Sequence, residues 1–384
     1  MKSARAGAHG GERGRPLRIA QVSPLCESVP PRLYGGTERI VSYLTEALVA
    51  AGHDVTLFAS GDSQTAARLI APCAQALRLA GSVDALPHHI AMLEQVYLLA
   101  RDFDVIHFHI DFIQFPLARR IKVPHVTTLH GRLDLPDLYA VYRAFPDMPV
   151  VSISDAQRAP LPSIGWQRTI HHGLPVDLLR PAARRGDYLA FLGRISPEKR
   201  VDRAIEIARR AGLPLRIAAK VDQRDQAYFE REIRPLLAQP HVDFVGEIAE
   251  RDKQAFLGGA RALLFPIDWP EPFGLVMIEA MACGTPVIAW RNGSVPEVID
   301  DGVTGFLVDD LDAAVDAVAR ADRLPRPAIR EVFERRFTST RMAADYEAVY
   351  RGLITRAGSA ESTDGDDRRG PAGLLRPGHQ LASG

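Results

Sequence analysis

Two carboxylates flank the start of a predicted apolar helix in the segment DWPEPFGLVMIEAMACGTPVIAW (268–290). Glu271 precedes the helix, and Glu279 falls inside it, ~7–8 Å along the axis at 1.5 Å per residue. The free backbone N–H groups at a helix start attract anions, and a Glu in so apolar a helix needs a partner or a ligand hydroxyl. These donors and acceptors suit a molecule with a charged middle and hydroxyl-rich ends, a sugar nucleotide. The alternative is a buried helix with one salt-bridged Glu.

Two cations follow the predicted strand YLAFLG (188–193), in the sequence GRISPEKR. Arg194 and Lys199 are separated by four residues, on a predicted loop that enters a helix. An Arg side chain can clamp two oxygens of a diphosphate, and a Lys side chain supplies a point charge. The pair therefore suits a diphosphate, although two solvated surface charges would give the same pattern.

Two weaker signals lie earlier in the chain. Gly35 and Gly36 precede a predicted helix that Thr37 can cap, and glycines at such a place let the backbone approach a phosphate. His130 ends the strand VTTLH before a glycine turn, so that its ring can reach a pocket. An ordinary loop-to-helix turn and a hydrogen-bonded structural histidine also explain these patterns. Neither a G-x-G-x-x-G nor a G-x-x-x-x-G-K-S/T motif follows the first strand, which argues against a nicotinamide dehydrogenase and a kinase.

Other polar groups resemble metal ligands only superficially. His107, His109 and Asp111 alternate in the strand sequence HFHID, and a period of two puts them on one face. Metal-binding histidines on a buried strand would need further ligands, which the sequence does not indicate, so we favour structural roles. The pair Asp102 and Asp104 has the spacing of a metal–nucleotide motif but is a very unspecific match. We therefore expect no metal site.

Composition limits the classes of function. The chain has 384 residues, 46% apolar and 24% charged, which is typical of a soluble globular protein with two or three domains. Lys plus Arg and Asp plus Glu both number 47, and the zero net charge argues against a nucleic-acid partner. Cys26, Cys73 and Cys283 are few and unclustered, so we expect a reducing, cytoplasmic compartment without disulfides. No stretch approaches the ~20 apolar residues that span a bilayer.

Short apolar runs alternate with helix-patterned stretches through the middle of the chain, which predicts βα units and parallel sheets, an α/β fold. The strands predicted in the first half are residues 17–23, 54–60, 103–110, 125–131, 150–155 and 168–174. Those predicted in the second half are residues 188–193, 215–221, 242–248, 262–267, 287–290 and 305–310. Residues 175–186 have two prolines and no strong pattern, so we predict a linker there between two similar domains. By composition, residues 1–16 and 356–384 are predicted to be disordered tails.

Several of these motifs occur together in a recognisable order. The combination of YGGTE, HG, GRISPEK, EPFGLVMIEAMACGTPVIA and GSVPEVIDDGVTGFLVDD resembles the retaining glycosyltransferases of family four, which have the GT-B fold. The resemblance covers roughly residues 17–355. It implies two Rossmann-like domains whose parallel sheets face each other across a cleft. An acceptor-side domain at 17–178 would be completed by a crossover helix at about 338–355, and residues 186–335 would bind the nucleotide sugar.

The resemblance also implies roles for individual residues. Arg194 and Lys199 match the pair that neutralises the donor diphosphate. Glu271 matches the acid that contacts the hydroxyls of the donor sugar, and Glu279 matches the one that binds the ribose. His130 would lie beside the transferred sugar. The backbone at three further positions would meet the sugar and diphosphate, and a glycine pair would approach the diphosphate across the cleft: Phe273, Gly274 and Leu275, then Gly35 and Gly36.

The implied reaction is transfer of a hexose from a nucleotide-diphosphate sugar, with UDP-glucose as the first expectation and GDP-mannose as the second, to an unidentified hydroxyl acceptor. Such enzymes retain the anomeric configuration, need no cofactor and are usually metal-independent. Lys220 departs from the family pattern, because AAKVDQRD replaces a glycine-rich turn. It contacts the donor or merely sits at the cleft rim.

Two other functions fit the same architecture. A nucleotide-sugar epimerase would turn over the donor without any acceptor. A sugar-nucleotide-binding protein that has lost catalysis is the other alternative, and the intact Arg194/Lys199 and Glu271/Glu279 pairs argue against such decay. Peripheral contact with the inner face of a membrane and the oligomeric state stay open.

Overall fold

The structure of the protein, a computed structural model, describes residues 14–32, 35–182 and 186–366, with side chains to residue 359. Within these residues the chain forms two separate parallel sheets. The first contains β1 (Arg18–Val22), β2 (Asp54–Phe58), β3 (Arg68–Ile70), β4 (Val105–Phe108), β5 (His125–Thr128), β6 (Val150–Ser152) and β7 (Trp166–Thr169). The second contains β8 (Leu189–Ile195), β9 (Leu215–Val221), β10 (Val242–Gly246), β11 (Ala262–Phe265), β12 (Val287–Trp290) and β13 (Gly305–Val308).

The helices alternate with these strands. Those of the first half are α1 (Gly36–Ala50), α2 (Leu86–Leu98), α3 (Phe115–Ala118), α4 (Leu138–Ala144) and α5 (Asp155–Arg158). Those of the second half are α6 (Val201–Ala211), α7 (Gln226–Tyr228), α8 (Arg234–Leu237), α9 (Glu250–Gly258), α10 (Leu275–Ala282), α11 (Val295–Val298), α12 (Leu311–Arg320), α13 (Arg326–Arg336) and α14 (Ser339–Asp366). Short 3-10 turns lie at Ala100–Asp102, Pro197–Lys199, Gln223–Asp225 and Ala321–Arg323, and a π-helical turn lies at Phe229–Ile233.

Both sheets are wound in the same order. The strand order is β3-β2-β1-β4-β5-β6-β7 in the first sheet and β10-β9-β8-β11-β12-β13 in the second. In each sheet the first strand in sequence lies near the centre. The next strands are added on one side of it and the later strands on the other, so the order of strand addition reverses between β1 and β4 and between β8 and β11. Ligands of such doubly wound sheets bind at the carboxyl ends of the strands beside this reversal. The predicted fold of two Rossmann-like α/β domains is confirmed.

Local sequence explains the elements. The strands β1, β2, β4, β11 and β12 are almost wholly buried, because helices cover both faces of a parallel sheet. In α6 the residues Val201, Ala204, Ile205 and Ala208 are buried at helical spacing, and Gly212 ends the helix in the left-handed conformation. These periodicities are visible in the sequence, which is why the predicted strands and helices fall close to the observed ones.

Three boundaries differ from the prediction. Strand β3 was not predicted, because it has three partly exposed residues at the sheet edge and too short an apolar run. Strand β7 ends at Thr169, so most of the predicted strand 168–174 is loop. Helix α14 continues to Asp366, past the start predicted for the C-terminal tail at residue 356. Residues 1–13 and 367–384 of the predicted tails lie outside the described residues.

The chain passes between the two domains twice, at neighbouring places. Leu174 bridges to Thr338, with the Leu174 N–H donating to the Phe337 carbonyl at 2.9 Å and the Ser339 N–H donating to the Leu174 carbonyl at 2.8 Å. A Cβ on Gly173 would lie 2.2 Å from the Thr338 carbonyl oxygen, so only glycine allows this approach. Helix α14 then packs against α1 of the first domain.

We predict that Gly173→Ala lowers the free energy of unfolding by about 1–3 kcal/mol, because the new methyl group would overlap the backbone of Thr338, where the chain crosses between the domains for the second time. Urea unfolding followed by circular dichroism measures the change. Gly358→Ala is the matched control, since a Cβ there meets open space on α14 and should be neutral or slightly stabilising. Equal effects of the two substitutions would show that the close crossing does not constrain the fold.

Candidate functional site

All of the residues that the sequence predicts for the site line one cavity of about 640 Å³ between the two domains. The first domain contributes residues at the carboxyl ends of its strands and at the start of α1. The second domain contributes the ends of β8 and β9 and the start of α10. The predicted residues are Gly35, Gly36, His130, Arg194, Lys199, Lys220, Glu271, Phe273, Gly274, Leu275 and Glu279.

Three cations meet at the carboxyl edge of the second sheet. Arg194 on β8 and Lys220 on β9 are register partners on adjacent parallel strands, so their side chains share one face. Lys199 follows in the 3-10 turn after β8. Strand β8 runs to Ile195, so Arg194 lies on the strand rather than on the predicted loop. The strand position is more rigid than a loop and holds the guanidinium at a defined place.

Carboxylates surround the first two of these cations. Arg194 pairs with Glu198, and its guanidinium lies 3.7 Å from Asp222 and 3.5 Å from Asp225. The Lys220 ammonium is 3.0 Å from Asp222. These acids were not predicted from the sequence, although Glu198 lies in the SPEK motif and Asp222 is two residues after Lys220. A diphosphate that binds here has to compete with carboxylates for the same donors.

Lys199, the third cation, forms an ion pair with Glu271, the acid predicted to contact the donor sugar. The Lys199 ammonium binds the Glu271 carboxylate, which also accepts a hydrogen bond from the Trp269 indole N–H at 3.1 Å. The ammonium lies 4.9 Å from the centre of the Trp269 ring, a cation–π distance. Gly293 packs closely against the backbone of Glu271. Its φ is 56°, and a Cβ at this position would lie 2.4 Å from the Glu271 backbone. The glycine therefore sets the place of the acid.

The start of α10 faces the cavity between these charges. Gly274 precedes the helix in the left-handed conformation, with φ 78°, and no side chain caps the helix. Its first N–H groups are therefore available to an anion. Across the cleft, a Cβ on Gly36 would lie 3.8 Å from the Leu275 side chain, so the two domains meet here. The structure thus places the start of α10, which the sequence predicts, at the cavity.

Glu279 is buried, with 3% of its surface exposed, and its partner is Lys253 of α9 at 2.6 Å. The Lys253 ammonium also lies 3.1 Å from Glu250, and Glu250 pairs with Arg39 of α1 in the first domain. An alternating series of charges thus runs from Glu279 across the cleft. The sequence analysis missed Lys253 and Arg39, because nothing local marks a partner that comes from another helix.

His130 belongs to a buried hydrogen-bonded network. Its Nε2 lies 2.9 Å from Nδ1 of His109, whose Nε2 lies 2.8 Å from Oε1 of Gln21. The Gln21 amide donates to the Tyr350 hydroxyl of α14 at 3.1 Å. The same hydroxyl lies 2.7 Å from Nδ1 of His107. The crossover helix therefore contacts the site histidine through two intermediate side chains.

Three other residues considered in the sequence, His107, Asp104 and Cys283, are hydrogen-bonded within the protein or buried in its core. The other ring nitrogen of His107 lies 2.7 Å from the Thr128 hydroxyl, so both nitrogens are hydrogen-bonded. Asp104 lies at the amino end of β4, away from the cleft, and accepts the Arg18 backbone N–H at 2.9 Å. Cys283 is fully buried, and burial raises the pKa of its thiol to about 12. In the described part of the chain, no three His, Cys, Asp or Glu side chains are grouped as a metal site.

Comparison with known proteins identifies the family. Residues 34–164 match the family described as "Glycosyltransferase Family 4", and residues 181–328 match "Glycosyl transferases group 1". The chain belongs to the GT4-type glycosyltransferases. This transferase is 28% identical to the phosphatidyl-myo-inositol mannosyltransferase of Mycobacterium leprae (strain TN) over 362 residues, 87% of this chain and 92% of that protein.

The transferase is also similar to another mycobacterial enzyme and to solved structures. It is 34% identical to the D-inositol 3-phosphate glycosyltransferase of Mycobacterium avium (strain 104) over 178 residues, which is 41% of each protein. The crystal structure of AviGT4, a glycosyltransferase of avilamycin A biosynthesis, superimposes with a TM-score of 0.68 at 25% identity, covering 88% of this chain and 98% of that one. Anabaena HepE in complex with UDP and glucose has a TM-score of 0.68 at 17% identity, covers 88% and 100%, and shares the fold. Within the described residues, no helix of the transferase is long and apolar enough to cross a membrane.

Three histidines of the transferase, His107, His109 and His172, are buried, and His130 is half-buried beside the cavity. Burial lowers the pKa of His130 to about 3, and burial and neighbouring imidazoles lower the pKa of His107, His109 and His172 well below the usual value. The rings of His130 and His172 are stacked, with centroids 5.4 Å apart. A histidine that stays neutral at physiological pH offers a hydrogen bond to a sugar rather than a positive charge.

We predict that the transferase loses stability as the pH falls below about 6.5. In the unfolded chain these imidazoles take up protons near that pH, whereas in the folded chain they stay neutral, so the unfolded state binds more protons. Each contributes a loss of about 1 kcal/mol between pH 6.5 and 5.5. Urea unfolding at pH 7.5, 6.5 and 5.5 measures this trend. A flat profile would mean that the folded and unfolded chains take up equal numbers of protons over this range, which would contradict the lowered pKa values.

We predict that Lys253→Met costs about 3 kcal/mol of unfolding free energy, because it leaves the buried Glu279 carboxylate unpaired. Adding Glu279→Gln to Lys253→Met should recover part of that loss, since the amide carries no charge. Chemical unfolding of the single and double variants measures the coupling. Lys122→Met, at an exposed position, is the control. Additive effects would show that the pair does not stabilise the site.

Proposed function

We propose that the protein transfers a hexose from a nucleotide-diphosphate sugar to a hydroxyl group of an acceptor, with retention of the anomeric configuration. UDP-glucose is the proposed first donor and GDP-mannose the second. The observation that carries the proposal is the meeting of Arg194, Lys199 and Lys220 with the start of α10 in one cleft cavity, with carboxylates beside it. Anion donors at the centre and hydroxyl acceptors at the sides match the parts of a sugar nucleotide.

Each part of the donor has a proposed partner. The diphosphate would bind Arg194, Lys199 and the free N–H groups of α10, because charge-assisted hydrogen bonds and a helix start both favour phosphate. The ribose hydroxyls would donate to Glu279, whose second oxygen is not used by Lys253. The transferred hexose would donate to Glu271. We also propose that Lys220 contacts the phosphates, since it shares a sheet face with Arg194.

The proposed reaction follows from where charge develops. The bond between the anomeric carbon and the phosphate oxygen breaks, and the electron pair leaves with the nucleoside diphosphate. Arg194, Lys199 and the helix start would stabilise the negative leaving group, and the sugar passes through an oxocarbenium-like state. The acceptor oxygen attacks from the same face, and its proton passes to the departing phosphate oxygen. These fixed cations are why we propose transfer without a metal ion.

The relatives supply candidate substrates. The name of the Mycobacterium leprae relative states a mannosyltransferase that acts on phosphatidyl-myo-inositol, and HepE is described with UDP and glucose. We therefore include both bases, both sugars and inositol-bearing acceptors in the test. A cytoplasmic location is part of the proposal, and the free state of Cys26, Cys73 and Cys283 supports it.

Calorimetric titration with UDP, GDP, ADP and their hexose conjugates, with and without EDTA, tests the donor site. We predict that one sugar nucleotide binds selectively and that EDTA leaves its affinity unchanged. Arg194→Met should weaken binding of the nucleoside diphosphate by about tenfold or more and leave binding of the nucleoside unchanged, because only the diphosphate contacts the guanidinium. Anomeric proton couplings of the product then report retention.

Arg209→Met is the matched control for this substitution, since Arg209 lies exposed on α6 and pairs with Glu206, away from the cavity. Binding of none of the nucleotides would overturn the proposed function. Turnover of the donor sugar into an isomer without acceptor would identify an epimerase instead. Selective binding without any transfer or hydrolysis would indicate a protein that only binds sugar nucleotides.

A further inference from the structure

The carboxylates beside the site cations differ in whether they face the cavity. Glu198 lines the cavity, and so do Arg194 and Lys220. In the described part of the chain, Asp222 and Asp225 do not line it, although they lie 3.7 Å and 3.5 Å from the Arg194 guanidinium. A ligand that enters the cavity therefore reaches the cations without displacing these two aspartates, and their charges stay beside it.

Asp222 bridges two of the cations. It directly follows β9, and its Oδ1 lies 3.0 Å from the Lys220 ammonium. Its other carboxylate oxygen, Oδ2, lies 3.7 Å from the Arg194 guanidinium. Because the two cations are register partners on adjacent strands, one carboxylate reaches both. Asp222 thus pairs with two of the donors that the proposed function assigns to the diphosphate.

Asp225 places a second negative charge next to Arg194. Its Oδ2 lies 3.5 Å from Nε of Arg194, and within the described residues both atoms are buried without a hydrogen bond. The hydrogen bond that orients the guanidinium comes instead from its pairing with Glu198. The contact between Asp225 and Arg194 therefore reduces the net positive charge of the site without determining where the guanidinium points.

The ion pairs at this edge of the cavity join equal numbers of cations and acids among the described residues. The cations are Arg194, Lys220 and Arg224, and the acids are Glu198, Asp222 and Asp225. A diphosphate therefore enters surroundings with a net charge near zero rather than a cationic pocket. Each additional negative charge on the ligand is repelled by aspartates that remain in place.

The donor and the product of the proposed reaction differ in that charge. In a sugar nucleotide the terminal phosphate is esterified to the hexose and carries one negative charge. Once the hexose has left, the same phosphate has a second acidic group with a pKa of about 6, so it carries nearly two negative charges at neutral pH. The proton that it takes from the acceptor is then released to water. The aspartates therefore repel the product more strongly than the donor.

We propose that Asp222, together with Asp225, makes the site discriminate between donor and product: it weakens binding of the nucleoside diphosphate more than binding of the sugar nucleotide. The inference rests on the proposed function, because it requires that the diphosphate binds Arg194 and Lys220. Product release becomes faster as a result, and release limits turnover in many enzymes. The segment AAKVDQRD thus supplies both a phosphate ligand, Lys220, and the acids that limit its strength.

Calorimetric titration of the full chain with UDP and UDP-glucose in EDTA tests the inference, with GDP and GDP-mannose as the pair if the native chain binds those instead. We expect Asp222→Asn to tighten binding of the nucleoside diphosphate about tenfold and binding of its sugar conjugate about threefold. The ratio of the two dissociation constants then changes about threefold, which a loss of local structure would not produce. Asp225→Asn should change the ratio in the same direction.

Asp243→Asn is the matched control, since Asp243 forms an exposed ion pair with Arg216 of the adjacent strand, away from the cavity. Both ligands should bind this variant as they bind the native chain. Circular dichroism reports whether each variant is folded, and Asp225→Asn decides the question if Asp222→Asn does not fold.

The outcomes separate this inference from the proposed function. Unchanged or weaker binding of the nucleoside diphosphate by the folded variant, or equal tightening of both ligands, overturns the inference and leaves the donor site in place. If Mg²⁺ tightens binding to the native chain and Asp222→Asn abolishes that effect, the aspartates bind a metal with the nucleotide and the inference is wrong. Binding of neither ligand to the native chain overturns the donor site and the inference with it. The expected change of ratio without any sugar transfer would support the inference and contradict the transferase proposal.

Discussion

The shape of the cleft depends on the pairing of charges that have been withdrawn from water. Lys199 is held by Glu271, and Glu279 by Lys253, at places where an unpaired charge would cost several kcal/mol. These pairs fix the side chains before any ligand arrives. They also determine how a ligand binds, since a diphosphate has to replace or share carboxylate partners rather than enter a field of unpaired cations.

A second constraint acts from the crossover helix. Tyr350 of α14 contacts Gln21 and His107 inside the first domain, and Gln21 supports His109, which supports His130. These hydrogen bonds satisfy both ring nitrogens of His107 and of His109, whereas Nδ1 of His130, at the end of the network, has no partner among the described residues. The last helix therefore supports His130, a residue of the cavity wall, through Gln21 and His109. Helix α14, which follows the second crossing between the domains, therefore both joins the two domains and helps to position His130.

Much of the fold was predictable because its signals are local. Buried parallel strands have continuous apolar runs, and a proline and a glycine followed by an apolar run mark the start of α10. The position of this helix was therefore predictable from the sequence, and the predicted residues around Glu271 line the cavity. The edge strand β3 was missed because three half-exposed residues leave no pattern. Lys253 and Arg39 were not predicted, because their partners lie on other elements and no spacing in the chain reports such contacts.

The sequence by itself determined the periodicities, the helix starts and the types of residue that end the strands, since these depend on neighbours a few positions away. It thereby determined that cations and acids would gather at the carboxyl edge of the second sheet. Only the tertiary structure decided which charge pairs with which, and that Arg39 of the first domain joins the series that ends at Glu279. The reason is physical: the energy of an ion pair depends on distance in space and on exclusion of water, and both are set by how the two domains pack together.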